Sequence, residues 1–184
     1  MKFAKSAGTA AVLCGAALLC GCGGAVSFNS TKLPDFSSAY CANAEITFGD
    51  IEAKAEVTRS EPGCWEFEFS EPKELSGLVM TVENGELTAS LGELTVTAGE
   101  GDYTALPLVI ADGLDALQSA DKAEFTEKDG VLTIRIEADG SKCTVTADKS
   151  TGDILSFKSP SDKLAVYFSD ITPYVEDVGL IDEE

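Results

Sequence analysis

The sequence predicts a mainly β protein: one highly curved antiparallel sheet of about ten strands, a half-open barrel, with a single helix packed on its concave apolar face. Three observations lead there. Short runs with an apolar residue at every second position recur along the chain, bounded by Gly, Asn, Asp and Pro turn signals. Only the 15 residues from Leu106 to Ala120 carry a 3.6-residue period instead. Nearly every strand run has one apolar and one polar face, whereas parallel strands buried on both sides read as continuous apolar runs. About ten twisted strands with a single apolar face must curl to hide it. A helix of that length, about 22 Å, cannot cover such a face alone. The remainder calls for curvature, a bound ligand or a partner.

Ala39 to Phe48 is the first strand, ended by Gly49-Asp50. Ile51 to Ser60 follows, with Ala53, Ala55 and Val57 on one face and Lys54, Glu56 and Thr58 on the other. Beyond the Glu61-Pro62-Gly63 turn, Trp65, Phe67 and Phe69 alternate with Glu66, Glu68 and Ser70, which sends the three aromatics to one side. Leu78, Met80 and Val82 alternate next, and Asn84-Gly85 marks a tight hairpin because both residues tolerate positive φ. Leu87, Ala89 and Leu91, then Leu94, Val96 and Ala98 past Gly92, continue the meander, and Gly99 to Tyr103 leads into the helix. There Leu106, Ile110, Gly113 and Leu117 form one stripe with Val109 and Leu114 beside it, and Asp112 and Asp115 fall on the other face. Pro107 suits a first helical turn, where its missing N–H costs nothing. Glu124 to Glu127 is a short strand. Leu132, Ile134 and Ile136, then Cys143, Val145 and Ala147, then Ile154 to Lys158, then Leu164, Val166 and Phe168 complete the sheet across turns at Asp129-Gly130, Asp139-Gly140 and Lys149 to Gly152.

The first 21 residues read as a lipoprotein signal peptide. Lys2 and Lys5 precede an uncharged apolar run of 14 residues, Ala7 to Cys20, shorter than the roughly 20 a spanning helix needs. The run ends in Leu19-Cys20-Gly21-Cys22, which resembles the bacterial lipobox. By that resemblance Cys22 carries a diacylglyceryl thioether and becomes the mature N-terminus. Several acyl chains at about 0.8 kcal/mol per buried CH₂ make a stable anchor. Residues 22–38 read as a Gly/Ser/Asn-rich membrane tether, 39–174 as the folded domain and 175–184 as an acidic tail. The expected location is outside the cytoplasm, on the outer face of the bacterial cell membrane or facing the periplasm.

The chain carries 13 basic and 32 acidic residues, a net charge of −19, which becomes −21 without the signal and its two lysines. This balance disfavours nucleic acid as a partner, since phosphate binding needs clustered Lys and Arg. It disfavours electrostatic adhesion to anionic lipid as well, so the expected membrane attachment is covalent. The acidity reads as solubility and self-repulsion at a crowded surface. There is no histidine, the commonest general base and metal ligand. Cys41, Cys64 and Cys143 form no CxxC and read as small buried hydrophobes, with a Cys41–Cys64 bridge the alternative. Asp148 to Asp153 is a poor match to a calcium loop and a good hairpin turn. Glu66 and Glu68 lie on the wet face of their strand. No catalytic constellation, metal site or cofactor is expected.

Several stretches resemble the LolA-like lipoprotein-carrier superfamily of incomplete β-barrels. Asp148-Lys149-Ser150-Thr151-Gly152-Asp153-Ile154-Leu155 is similar to its acid, base, Thr-Gly turn and apolar strand. Leu164 to Ile171, LAVYFSDI, is similar to its closing strand, and Thr58-Arg59 with Cys64-Trp65-Glu66-Phe67 to its early hairpin. The resemblance spans roughly residues 39–174 and implies a hollow for an acyl chain or a lipidated protein. The carrier's long helix before the first strand is missing here; the tether occupies its place. Of the two arginines, Arg59 and Arg135, the resemblance would give one a lid-locking role, while the residues alone suggest strand-surface ion pairs. The expected hollow is lined by Val57, Trp65, Phe67, Phe69, Leu78, Met80, Val82, Ile110, Leu114, Leu117, Leu132, Ile134, Ile136, Val166 and Phe168. Two functions follow as expectations: binding of an apolar ligand or lipidated protein on the concave face, or non-catalytic scaffolding or activation of another cell-envelope protein. A core filled by its own side chains is the bland alternative for the hollow.

Overall fold

The computed structural model describes residues 34–98, 105–119, 123–138 and 140–176. The signal segment, Cys22, the first part of the tether, Gly99 to Tyr103, Ala120 and most of the acidic tail lie outside the described residues. Six strands precede the helix: β1 (Tyr40–Phe48), β2 (Ile51–Glu61), β3 (Cys64–Glu71), β4 (Leu78–Glu83), β5 (Glu86–Leu91) and β6 (Leu94–Ala98). Five follow it: β7 (Glu124–Lys128), β8 (Val131–Ala138), β9 (Ser141–Asp148), β10 (Ile154–Ser159) and β11 (Leu164–Pro173).

All eleven strands form one antiparallel sheet in the order β6-β5-β4-β3-β2-β1-β11-β10-β9-β8-β7. The chain meanders from the centre out to β6, crosses by way of the helix to the opposite edge at β7, and meanders back until β11 pairs with β1. The hairpin signals act as expected: Asn84 and Gly85 both take positive φ between β4 and β5.

Curvature follows from one contact pattern. Helix α1 (Leu106–Asp115, ten residues) touches β4, β8 and β10. β4 is third across the sheet and β8 tenth. In a flat sheet seven spacings of about 4.8 Å would separate them by about 34 Å. A ten-residue helix is only about 15 Å long. The sheet therefore wraps around the helix, and its edges β6 and β7 stay unpaired among the described residues, which leaves the barrel half open.

Pro107 occupies the first turn of α1, as its fixed φ favours. The α-helix is shorter than the 3.6-residue pattern suggests: it ends at Asp115 and tightens into a 3-10 turn over Ala116–Ser119. Pro107, Ile110, Ala111, Gly113 and Leu114 are its buried positions. Under them runs a continuous apolar rung fixed by strand register, Ala53–Ile46–Val166–Phe157–Val145–Ile134–Phe125. Gly113 is where helix and sheet come closest. A Cβ there would sit 2.3 Å from Phe157 Cε2, and Phe157 is itself fully buried.

Gly113→Ala should therefore destabilise the domain despite the better helix propensity of Ala. Overpacking costs about 1–3 kcal/mol, against about 0.5–1 kcal/mol recovered from the glycine. The expected result is a net loss of about 1 kcal/mol, read in a thermal melt as a Tm lower by about 2–4 °C.

Candidate apolar binding face

The three inner rungs of β1 to β6 run from a closed end to an open end. The closed-end rung is Tyr40–Arg59–Trp65–Val82–Leu87–Ala98. The next is Ala42–Val57–Phe67–Met80–Ala89–Val96. The last contains Leu78–Leu91–Leu94.

At the closed end a polar cluster ties helix, sheet and N-terminal segment together. Arg59 is only 1% exposed. Its Nε and one terminal nitrogen donate to Asp115 Oδ1 at 3.1 and 2.7 Å. Its other terminal nitrogen donates to the carbonyls of Phe36 and Ser38 at 2.8 and 3.2 Å. Asp115 Oδ2 accepts from the Gly63 N–H and from the Trp65 indole N–H, both at 2.8 Å. The guanidinium lies over the Trp65 ring, 5.3 Å from its centroid, and Tyr40 meets that ring edge-on. The Tyr40 hydroxyl is buried without a protein hydrogen-bond partner. Burial, reinforced by the Asp115 charge and opposed by Arg59, pushes the phenol well above its ordinary pKa.

Two sequence expectations are corrected here. Arg59 is not a strand-surface ion pair: it continues the inward series Ala53, Ala55, Val57 by one more step of two. Asp115 is not on the solvent face of the helix. It lies one turn after buried Ala111, at the margin of the apolar stripe, so its carboxylate reaches under the helix end. The period-2 signal for Arg59 was present in the sequence; its partner was not. Residues 34–38, expected to be tether, lie against the domain through Phe36, which packs on the core.

The structure gathers all fifteen predicted lining residues into one apolar cluster. Thirteen are buried, and Val57, Phe67, Ile110, Ile134 and Val166 have no accessible surface at all. Beneath the helix, the space at these residues is filled by side chains. Leu78 and Met80 are only half-buried. Sequence reasoning did not assign core roles to Ile46 and Phe157, which pack in the same cluster.

The open end lies past the reach of the helix. Exposure rises along β5 and β6 away from Trp65: Leu87 is buried, Ala89 half-buried, and Leu91, Leu94 and Val96 are 49, 66 and 57% exposed. With Leu78 and Met80 they form an apolar patch continuous with the core and uncovered among the described residues. Sequence reading placed Leu78 and Met80 in the site but named Leu91, Leu94 and Val96 only as strand residues; the signal was the shortage of helix to cover the outermost strands. A groove of about 590 Å³ lies over β1 to β3, where Ala44, Ala55 and Phe69 meet Asn43, Glu45, Lys54, Glu56 and Glu68, so its lining is mixed polar and apolar. Cys41, Cys64 and Cys143 are free thiols, so Cys41 and Cys64 are not bridged; only Cys143 is fully buried. No helix of the described residues is long and apolar enough to cross a membrane.

Neither the known family profiles nor the curated protein sequences match this chain. Solved structures do. An uncharacterized conserved protein from Thermus thermophilus is similar over 77% of this chain and 82% of its own, at 12% identity and a TM-score of 0.50. That likeness is one of fold. A LolA superfamily protein from Nitrosomonas europaea is similar over 78% of this chain and 89% of its own, at 9% identity and a TM-score of 0.41. A DUF1329 family protein from Desulfovibrio piger covers 80% and 89%, at 13% identity and a TM-score of 0.37.

Removing one partner of a buried ion pair costs about 3–5 kcal/mol. Asp115→Ala should lose that much in urea unfolding followed by the single Trp65, whereas Glu71→Ala, which breaks the exposed Lys54–Glu71 pair at 3.0 Å, should lose less than about 1 kcal/mol. Tyr40 makes a second, pH-dependent prediction. Its folded pKa is raised, so its contribution is fully present below the ordinary phenol value and is lost as pH rises through the folded one. Stability measured above about pH 10 should fall, and Tyr40→Phe should flatten that fall.

Proposed function

We propose that this protein is an extracytoplasmic lipoprotein, held at the outer face of the bacterial membrane by lipid on Cys22, whose LolA-like half-barrel binds an apolar chain at the open end of its concave face. The ligand is an acyl chain, free or carried by a lipidated protein. One observation carries the reading: Leu91, Leu94 and Val96 are exposed beside half-buried Leu78 and Met80, on the side of the sheet that elsewhere is buried. Large apolar side chains clustered in this way on a strongly acidic surface are costly to leave wet, and uncovered patches of this kind mark binding sites. The packed interior does not oppose it, since the chain would lie on the rim and extend the core rather than enter a preformed hole. No catalytic role is assigned.

A second reading, a non-catalytic scaffold or activator of another envelope protein, draws on the same patch, which a partner's apolar surface would also cover. The two separate by experiment. A fluorescent fatty acid titrated into the protein should bind, and Leu91→Glu should weaken it at least about tenfold, a change of about 1.4 kcal/mol, without lowering Tm. Absence of any uptake, together with a stoichiometric partner recovered from membranes and lost in Leu91→Glu, would favour the second reading. Cys22→Ala should abolish labelling by radioactive palmitate and move the protein out of the membrane fraction.

A further inference from the structure

The two edges of the sheet are built differently. Edge β7 carries Glu124, Glu127 and Lys128 in five residues. Charges of this kind keep an edge from pairing with another chain. Edge β6 is Leu-Thr-Val-Thr-Ala, and among the described residues it is the only one of the eleven strands with no charged residue. It is short, β-rich and exposed along its length until Ala98. In a chain of net charge −19, a neutral edge lets two copies meet without like charges facing each other along the strand.

The register of the β5–β6 hairpin makes the meeting specific. Gly92-Glu93 is a two-residue turn closed by the Leu91–Leu94 pair. In such a hairpin the closing pair is hydrogen-bonded and the pairs then alternate. Ala89–Val96 is therefore hydrogen-bonded, while Ser90–Thr95 and Thr88–Thr97 are not. Thr95 and Thr97 consequently aim their backbone N–H and C=O groups away from β5, off the edge of the sheet. Their hydroxyls lie near those of Ser90 and Thr88, at 3.1 and 3.4 Å, on the face opposite the apolar rungs.

We propose that β6 pairs antiparallel with β6 of a second copy about a two-fold axis at Val96. Thr95 of each chain then faces Thr97 of the other in a hydrogen-bonded pair, which satisfies all four outward-facing groups on each strand. Val96 faces Val96 in the non-hydrogen-bonded pair, where side chains approach most closely. The apolar rung Met80–Ala89–Val96 runs on into its symmetry mate, and the threonine ladder does the same on the other face. The contact is isologous and closed, so it stops at a dimer. It uses the backbone edge of β6 and does not rest on apolar-ligand binding.

Sedimentation equilibrium of the full-length protein in density-matched detergent micelles tests it. The expected mass is two chains. Thr97→Pro removes an N–H that β5 does not use, so the ladder within the subunit is kept, and the mass should fall to one chain. Thr95→Lys/Thr97→Lys and Thr95→Glu/Thr97→Glu should each be monomeric and should form a mixed dimer when combined. Leu91→Glu leaves the edge intact and should remain dimeric even where fatty-acid uptake is lost. A monomeric unsubstituted protein, or a dimer indifferent to the opposed lysine pair, would overturn the proposal; loss of fatty-acid binding with the dimer intact would overturn only the ligand reading.

Discussion

One helix has to shelter the apolar face of an eleven-stranded sheet, and it cannot. Every larger feature of the molecule follows from that mismatch. The sheet bends until strands seven places apart both touch α1, which brings the two outer sets of strands over a shared core. Where bending suffices, side chains interlock closely enough that position 113 has to be glycine under Phe157. Where it does not, at the outer end of β4 to β6, leucines and a valine are left in water. The closed and open ends are thus two outcomes of one constraint on buried area.

The closed end is held by charge rather than by oil. The Asp115 carboxylate accepts four hydrogen bonds, and four of the five guanidinium N–H groups of Arg59 donate one. A buried pair contributes little beyond its own desolvation unless its remaining lone pairs and protons are satisfied; here nearly all are. Because its partners come from β2, β3, the helix end and the segment before β1, the cluster fixes where the helix sits along the strands. An apolar contact, being non-directional, would not do that.

The open end carries the function proposed for the chain. A strongly acidic surface repels most encounters, so the few neutral stretches decide what the protein meets. Side chains on the concave rim and backbone on the β6 edge are two such stretches, and they present different chemistry: one is suited to a flexible apolar chain, the other to an extended strand. An anchor at Cys22 would hold both close to lipid, and the docking of Phe36 beside Arg59 ties the start of the domain firmly to the chain that leads there.

Most of the architecture was legible in the sequence because strand alternation and turn chemistry are local. The aromatic run from Trp65 to Phe69, the Asn84-Gly85 hairpin, the helix entered through Pro107 and the inward faces of nearly all strands needed no coordinates. What a local pattern cannot carry is the identity of a partner across the sheet. Arg59 was readable as inward-facing once the series from Ala53 was continued, but that Asp115, 56 residues on, would meet it depends on where the helix comes to rest. Packing of Gly113 on Phe157 sets how closely the helix approaches the sheet, and the polar cluster itself sets where along the strands it stops. Likewise the sequence by itself determined that some apolar surface would be left over, since area scales with strand count. Only the tertiary structure decided that the surplus falls on Leu91, Leu94 and Val96, because which strands lie beyond the helix's reach is fixed by sheet order and curvature, and both are properties of the whole chain.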